Sequence, residues 1–412
     1  MDSVSAKFIH DRFSDYYRIN LSTIQPPSAI EKREFGFILF KERMMVRHKA
    51  FRTVERLRDF LKEIVPSDAY YSSAYYELPE EKMEAKGRLG TDLIFDIDAD
   101  HISTPCQKTH DRWICRGCGH NSKGLPPETC PSCGYEKFEE KSWMCEICLD
   151  SAKNETIKLI DFLMKDFGYS SEEIDVSFSG HRGYHVSVEK NEVHALDQVA
   201  RREIVDYIIG IGIEPELHGL SERPERGTRI IAGPSLDALG WRGRIARGTY
   251  ELLLSSAPQD LRNMGIKPKT ASAISKHSER LLRSWKDEGP WSVVRDVGAE
   301  SWMKLALYGV EKESAKIDTV VTTDIHRLIR LENTLHGKTG LKKAKVAATS
   351  IEGFDPFESA VAFKKGTAKV KISSAPQFRL GDESYGPYQN ETVELPTAVA
   401  LLLLCKRRAK MV

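Results

Sequence analysis

The stretch TDLIFDIDAD, residues 91–100, decides the fold. Leu93, Phe95, Ile97 and Ala99 alternate with Asp92, Ile94, Asp96, Asp98 and Asp100, the period of a strand that buries one face. The opposite face then carries crowded carboxylates, with Asp96 and Asp98 as neighbours. Residues two apart on a strand are spaced by about 6.5–7 Å, and their side chains can converge on metal ions about 3.5–4 Å apart. Hard carboxylate oxygens suit Mg²⁺ or Mn²⁺. A solvated acidic edge strand would show the same alternation, but unneutralised like charges repel, which favours a bound cation.

Downstream, VSFSGHRGYHVSV (176–188) reads as strand, tight turn and strand, with Gly180 and Gly183 free to take backbone angles closed to other residues. Ser179, Arg182 and His185 surround a turn rich in backbone N–H groups, a cradle for phosphate oxygens. A structural hairpin explains the glycines equally well. In IDTVVTTDIHRLIRLENTLHGKTGL (317–341), Asp318 is placed at the start of a strand and HRLIRL in a helical turn. His336 and Lys338 then share one side of an extended segment. Lysine binds phosphate as a point charge and histidine can donate to it. A solvated basic loop of Lys338, Lys342, Lys343 and Lys345 is the plainer alternative.

The chain's 61 Lys and Arg nearly balance its 60 Asp and Glu, so net charge neither demands nor excludes a nucleic-acid partner. A hydrophobic fraction of 41% over 412 residues is ordinary for a globular protein of more than one domain. The N-terminal residues lack the pattern of a secretory signal. The apolar run 398–405 is far short of the roughly 20 residues that cross a bilayer and reads as a buried helix. An intracellular protein without membrane contact is expected. Helical patterns recur between 250 and 315, in TYELLLSS, SERLLRSW and SWMKLALYG. Six arginines between Arg223 and Arg247 could track a nucleic-acid backbone, with Trp241 stacking on a base, or form ordinary turns around a structural tryptophan.

Seven of the eight cysteines lie between Cys106 and Cys148, six of them in three C-x2-C pairs. Such pairing in an intracellular chain argues for metal over disulfides. Cys115, Cys118, Cys130 and Cys133 have the spacing of a zinc ribbon, with glycines permitting tight turns in CRGCG and CPSCG. Cys405 stands apart as a small buried hydrophobe.

Taken together, the D-x-D of DLIFDIDAD, the S-G-x-R-G-x-H of SGHRGYH and the aspartate followed by L-H-G-K resemble the catalytic motifs of the archaeo-eukaryotic DNA primases, in the small-subunit branch. DYYRINL, KREFGFILF and MCEICLDSAK extend the resemblance over most of the chain. It implies a mixed-sheet α/β catalytic core formed by 1–104, 150–250 and 316–412, a zinc-binding insertion at 105–149 and a helical subdomain at 251–315. Carried over by position, it implies that Asp96, Asp98 and Asp318 hold Mg²⁺ or Mn²⁺. Ser179, Arg182, His185, His336 and Lys338 would bind the triphosphate of the incoming nucleotide, with Arg47 and Arg330 as weaker candidates. Cys106, His110, Cys145 and Cys148 match the family's zinc knuckle, which gives two nested zinc sites; His101 and His120 are alternative ligands. The resemblance also implies a heterodimer with a large subunit carrying an iron–sulfur cluster. The activity implied is primer synthesis from nucleoside triphosphates on single-stranded DNA, at replication sites in the cytoplasm. A two-metal nuclease would leave the Arg/His/Lys set idle, a zinc-ribbon binding protein would leave the acids idle, and a repair-type polymerase fits the knuckle's place after the D-x-D less well.

Overall fold

The structure is a computed structural model that describes residues 2–41, 44–225, 228–285 and 289–412. The chain divides into two compact units. One comprises Met1–Ile157, Ser170–Arg202 and Lys316–Val412, the other Lys158–Tyr169 and Glu203–Ala315. The helical subdomain expected at 251–315 thus falls inside a unit that starts at Glu203 and adds a piece of the long helix Glu146–Lys165.

The first unit is built on two sheets. Arg33–Ile38 lies between Met45–Lys49 and Asp68–Tyr76, and the latter also pairs with Leu328–Arg330 and Arg88–Thr91. The second sheet runs Ala344–Ala347, Ile174–Phe178, Gly183–Val188, Leu93–Asp98. Every strand pair among the described residues is antiparallel, so the sheets are not the mixed ones expected. The glycine-rich turn explains this for the central pair, because a short turn can return a strand only antiparallel.

Ile94 explains how the acid strand meets its neighbours. It shares a face with Asp96, yet it is buried against Val321 and Ile329, with Tyr71 packed beside them. This apolar seam joins the two sheets immediately below the carboxylates. Asp92 is likewise withdrawn from the acidic face. It is 1% exposed, pairs with Arg33 at 2.7 Å and accepts from the Tyr75 hydroxyl at 2.9 Å. Near the C-terminus, the helix Thr397–Cys405 is buried almost throughout beside the strand Thr367–Ala375. No helix among the described residues is long and apolar enough to cross a membrane.

In the second unit, the helices Gly240–Ser255 and Ala299–Glu313 pack closely enough that a Cβ on Gly248 would lie 2.4 Å from the Gly309 carbonyl oxygen. Arg244 is buried there against Asp166 at 2.9 Å and Asp161 at 3.0 Å.

Candidate active site and metal centres

Register brings the two central motifs together. In the Leu93–Asp98 and Gly183–Val188 pairing, His185 lies opposite Asp96 and Gly183 opposite Asp98. His185 Nε2 is 3.5 Å from Asp96 Oδ1. The approach demands glycine at 183, where a Cβ would sit 1.9 Å from the Ile97 carbonyl oxygen. Gly180 takes a φ of +86°, the left-handed turn conformation.

Asp318 is not the start of a strand. It is the N-cap of the helix Thr319–Thr323, accepting from Val320 N at 2.9 Å and Val321 N at 3.3 Å. Its own N–H donates to the Asp96 carbonyl at 2.8 Å, which fixes it against the acid strand. The helical turn expected in HRLIRL is instead the strand Leu328–Arg330, whose isoleucine completes the apolar seam. His336 and Lys338 lie on a tight turn rather than an extended segment, closed by His336 N donating to Leu341 O at 2.8 Å.

Asp96, Asp98, Ser179, His185, His336 and Lys338 line one cavity of about 210 Å³. Arg330 is on its wall too, held by Asp68 at 2.7 Å. Acidic and basic side chains share this cavity. Loss of solvent, then the charges of Asp98 and Asp318, push Asp96 up to about 7. Burial first, then neighbouring cations, holds His181, His185 and His336 well below the ordinary histidine value. Burial and the charges of Arg182 and Lys338 bring Lys406 down to about 7. A bound cation would relieve the crowding of like charge at Asp96.

The cysteines gather as two clusters. Cys106, His110, Cys145 and Cys148 form one, and Cys115, Cys118, Cys130 and Cys133 the other, each with its ligand atoms within 4.8 Å of one another. Cys115 and Cys133 sulfurs are 3.6 Å apart and those of Cys118 and Cys130 3.7 Å. A tetrahedral ion with Zn–S bonds of about 2.3 Å separates its sulfurs by about 3.8 Å, whereas a disulfide needs about 2.05 Å. Both clusters could therefore hold zinc. In the first, His110 Nδ1 lies 2.7 Å from Asp111 Oδ1, leaving Nε2 for the metal, 3.5 Å from the Cys148 sulfur. His101 belongs to neither cluster and stands 3.8 Å from Asp318. His120 is also outside both, its ring packed on Trp113.

Residues 134–347 match the protein family described as DNA primase small subunit. The chain is 32% identical over 410 residues to the DNA primase small subunit PriS of Nitrosopumilus maritimus, covering 99% of each chain. It is also 32% identical over 429 residues to the protein of the same name from Methanothrix thermoacetophila, with full coverage of both. The chain belongs to the DNA primase small-subunit family.

Some residues named from the sequence stand elsewhere in this primase subunit. Arg182 is fully buried and absent from the cavity wall, its guanidinium taken by Asp111 and Asp100. Arg47 is also off that wall, paired with the buried Glu34 at 3.0 Å. Trp241 is 2% exposed and donates to the Tyr207 carbonyl at 2.9 Å, so it does not stack on a base. Arg244 is consumed by its aspartates, and Arg226 lies outside the described residues. Conversely, His181, Arg327 and Tyr70 line the cavity without having been singled out. His181 stacks on His336 with centroids 5.1 Å apart, and Lys406 Nζ reaches its Nε2 at 2.7 Å. The signal for His181 was its place between Ser179 and Arg182 in the turn. Lys406, at the far end of the chain, gave none.

Proposed function

We propose that this primase small subunit extends primers on single-stranded DNA by two-metal nucleotidyl transfer, with Asp96, Asp98 and Asp318 as the divalent-cation ligands. Ser179, His185, His336 and Lys338 take the triphosphate of the incoming nucleotide, joined by His181. The crowding of Asp96 by Asp98 and Asp318, in a cavity that His185, His336 and Lys338 also line, carries this reading, since a cation-bound polyphosphate suits both sets. When bound, Mg²⁺ or Mn²⁺ would lower the pKa of the attacking 3′-hydroxyl and neutralise charge on the triphosphate. The chain's own part is positioning. The hairpin register sets His185 beside Asp96, and the Asp318 N–H donates to the Asp96 carbonyl from the capped helix end. The stacked His181–His336 pair lines the same cavity, with His336 Nδ1 accepting from Lys338 N. Zinc fits the two cysteine clusters as a structural ion, because four protein ligands leave no open position for chemistry.

A large subunit carrying an iron–sulfur cluster is the proposed partner, and replication sites on DNA the proposed place of action. Seven of the chain's eight cysteines are already accounted for by the two clusters. Incubation with template, Mn²⁺ and labelled nucleoside triphosphates tests the reading: primer growth supports it, while degradation of the template or binding alone refutes it.

Lys338→Ala and His336→Ala remove cavity charge and a donor without touching the carboxylates. KM for nucleoside triphosphate should rise by about tenfold or more in each, on the order expected for a charge-assisted hydrogen bond. Steady-state kinetics at saturating template check this.

Asp96 gives the pH dependence. A carboxyl raised to about 7 keeps its proton below that pH, and a bound cation must displace it. Mn²⁺ affinity should therefore fall about tenfold between pH 8 and pH 6. The metal-free protein shows the opposite sign: Asp96 is neutral below pH 7, and stability is lost as the pH rises through about 7 and the carboxylates repel. Mn²⁺ titrations and thermal melts at the two pH values check both.

A further inference from the structure

Arg182 sits in the turn where a phosphate ligand was expected, yet its side chain is 0% exposed and is spent on two carboxylates. One is Asp111. Its oxygens accept from Arg182 Nη1 at 3.1 and 3.2 Å and from Trp143 N at 2.7 Å, and Oδ1 also holds His110 Nδ1 at 2.7 Å. Asp111 therefore follows directly on one ligand of the first zinc cluster and grips the backbone two residues before another, Cys145. The guanidinium also donates to the Trp143 carbonyl at 3.0 Å.

The second carboxylate is Asp100, 2.6 Å from Arg182 Nη2. Asp100 belongs to the catalytic strand's exit turn, where its backbone N–H donates to Asp98 Oδ1 at 2.9 Å. The Arg182 carbonyl also accepts from Ala99 N at 3.1 Å. Every link from the zinc ligand to the catalytic carboxylate is thus a hydrogen bond or ion pair: His110, Asp111, Arg182, Asp100, Asp98. The guanidinium hydrogen-bonds Asp111 through Nη1 and faces Asp100 through Nη2 as a charge pair, and being planar and always charged it bridges two carboxylates in a way that the point charge of lysine does not.

We propose that Arg182 is a positioning residue that couples the Cys106–His110–Cys145–Cys148 zinc site to the catalytic carboxylates, orienting Asp98 for its cation. The proposal rests on the reading of Asp96, Asp98 and Asp318 as cation ligands. It gives the zinc cluster a role at the active site that needs no contact with substrate. It also separates Arg182 from the triphosphate-binding set to which its turn assigned it. Coupling of this kind is reciprocal, so what loosens one site loosens the other.

The test uses the zinc-loaded full chain and follows Mn²⁺ binding by electron paramagnetic resonance, without nucleotide. Arg182→Gln should keep two zinc ions and a native circular dichroism spectrum while Mn²⁺ affinity falls about 10-fold or more, the usual size of a lost outer-shell partner. KM for nucleoside triphosphate, measured at saturating Mn²⁺, should stay within about twofold. Unchanged Mn²⁺ affinity with a raised KM would overturn the proposal and return Arg182 to the nucleotide. Should Arg182→Gln fail to fold, Asp100→Asn serves, since that carboxylate is partly exposed and touches no zinc ligand. There the readout is zinc loss to a chelator: acceleration by about tenfold supports the coupling, and an unchanged rate overturns it. A parent chain whose Mn²⁺ uptake survives Asp98→Ala would sink the cation reading itself, and the coupling with it.

Discussion

Primer synthesis by the Asp98→Ala variant falls by at least about 10³-fold, while its zinc content and melting behaviour stay close to the parent's. The activity loss follows from the number of ligands available. Asp98 is one of three carboxylates around the proposed cation sites, and its charge is part of what raises Asp96 to about 7. Without it, Asp96 loses a repelling neighbour and the site loses both a ligand and a negative charge. Aligned metal-bound oxygens supply most of the transition-state stabilisation in such chemistry, so no other residue compensates. The fold is spared for equally local reasons. Asp98 ends its strand, so the backbone pairing to Gly183 survives substitution. What is lost is the bond from Asp100 N to Asp98 Oδ1, a cap of about 1 kcal/mol. Relief of carboxylate repulsion offsets part of that. Primer-extension assays, zinc analysis and a thermal melt on one preparation decide the matter; retained synthesis would move the chemistry off this strand.

The catalytic strand, the hairpin and the Cys115–Cys118–Cys130–Cys133 ribbon were legible because each is written in short-range pattern, whereas the other cysteine cluster came from the family resemblance. Period-two alternation gave Leu93–Asp98, the spaced glycines gave the turn before His185, and C-x2-C pairs gave the ribbon. What the pattern could not carry was the pairing of charges distant in sequence. Asp92, Asp96, Asp98 and Asp100 look alike on paper, but Arg33 takes the first and Arg182 the last. Only the middle two are left facing the cavity without a cation. The HRLIRL stretch misled for a related reason. Its leucine and isoleucine spacing satisfies a short helix, and only the neighbouring strand Asp68–Tyr76 makes an extended form preferable. His336 and Lys338 reached the cavity although their segment turns sharply, because the bridge from Leu335 to Lys342 presents the tip of the turn to the hairpin.

The two zinc clusters should differ sharply in what their loss does. Cys148 is 0% exposed, and its N–H lies against the Cys145 sulfur at the start of the 20-residue helix Glu146–Lys165. The same cluster takes Cys106 and His110 from the segment that leaves the catalytic strand, so it pins that segment to the helix. Apparent binding free energies of structural zinc run to about 10–16 kcal/mol, comparable with the whole stability of a domain. Cys148→Ser should therefore lose one zinc per chain, lower the melting temperature by about 10 °C or more, and reduce primer synthesis at least about tenfold. Cys133 is exposed, and its cluster belongs to a small three-stranded ribbon whose own core is Trp113, Cys115 and Cys130 with Phe138 packed beside them. No hydrogen bond from those four ligands reaches a cavity residue among the described residues. Cys133→Ser should also lose one zinc, yet it should unfold only the ribbon and leave primer synthesis on a short template within about threefold of the parent, as expected for local opening away from the active site. Metal analysis with activity assays on the two variants checks the asymmetry, and equal losses of activity would show that the ribbon serves catalysis directly.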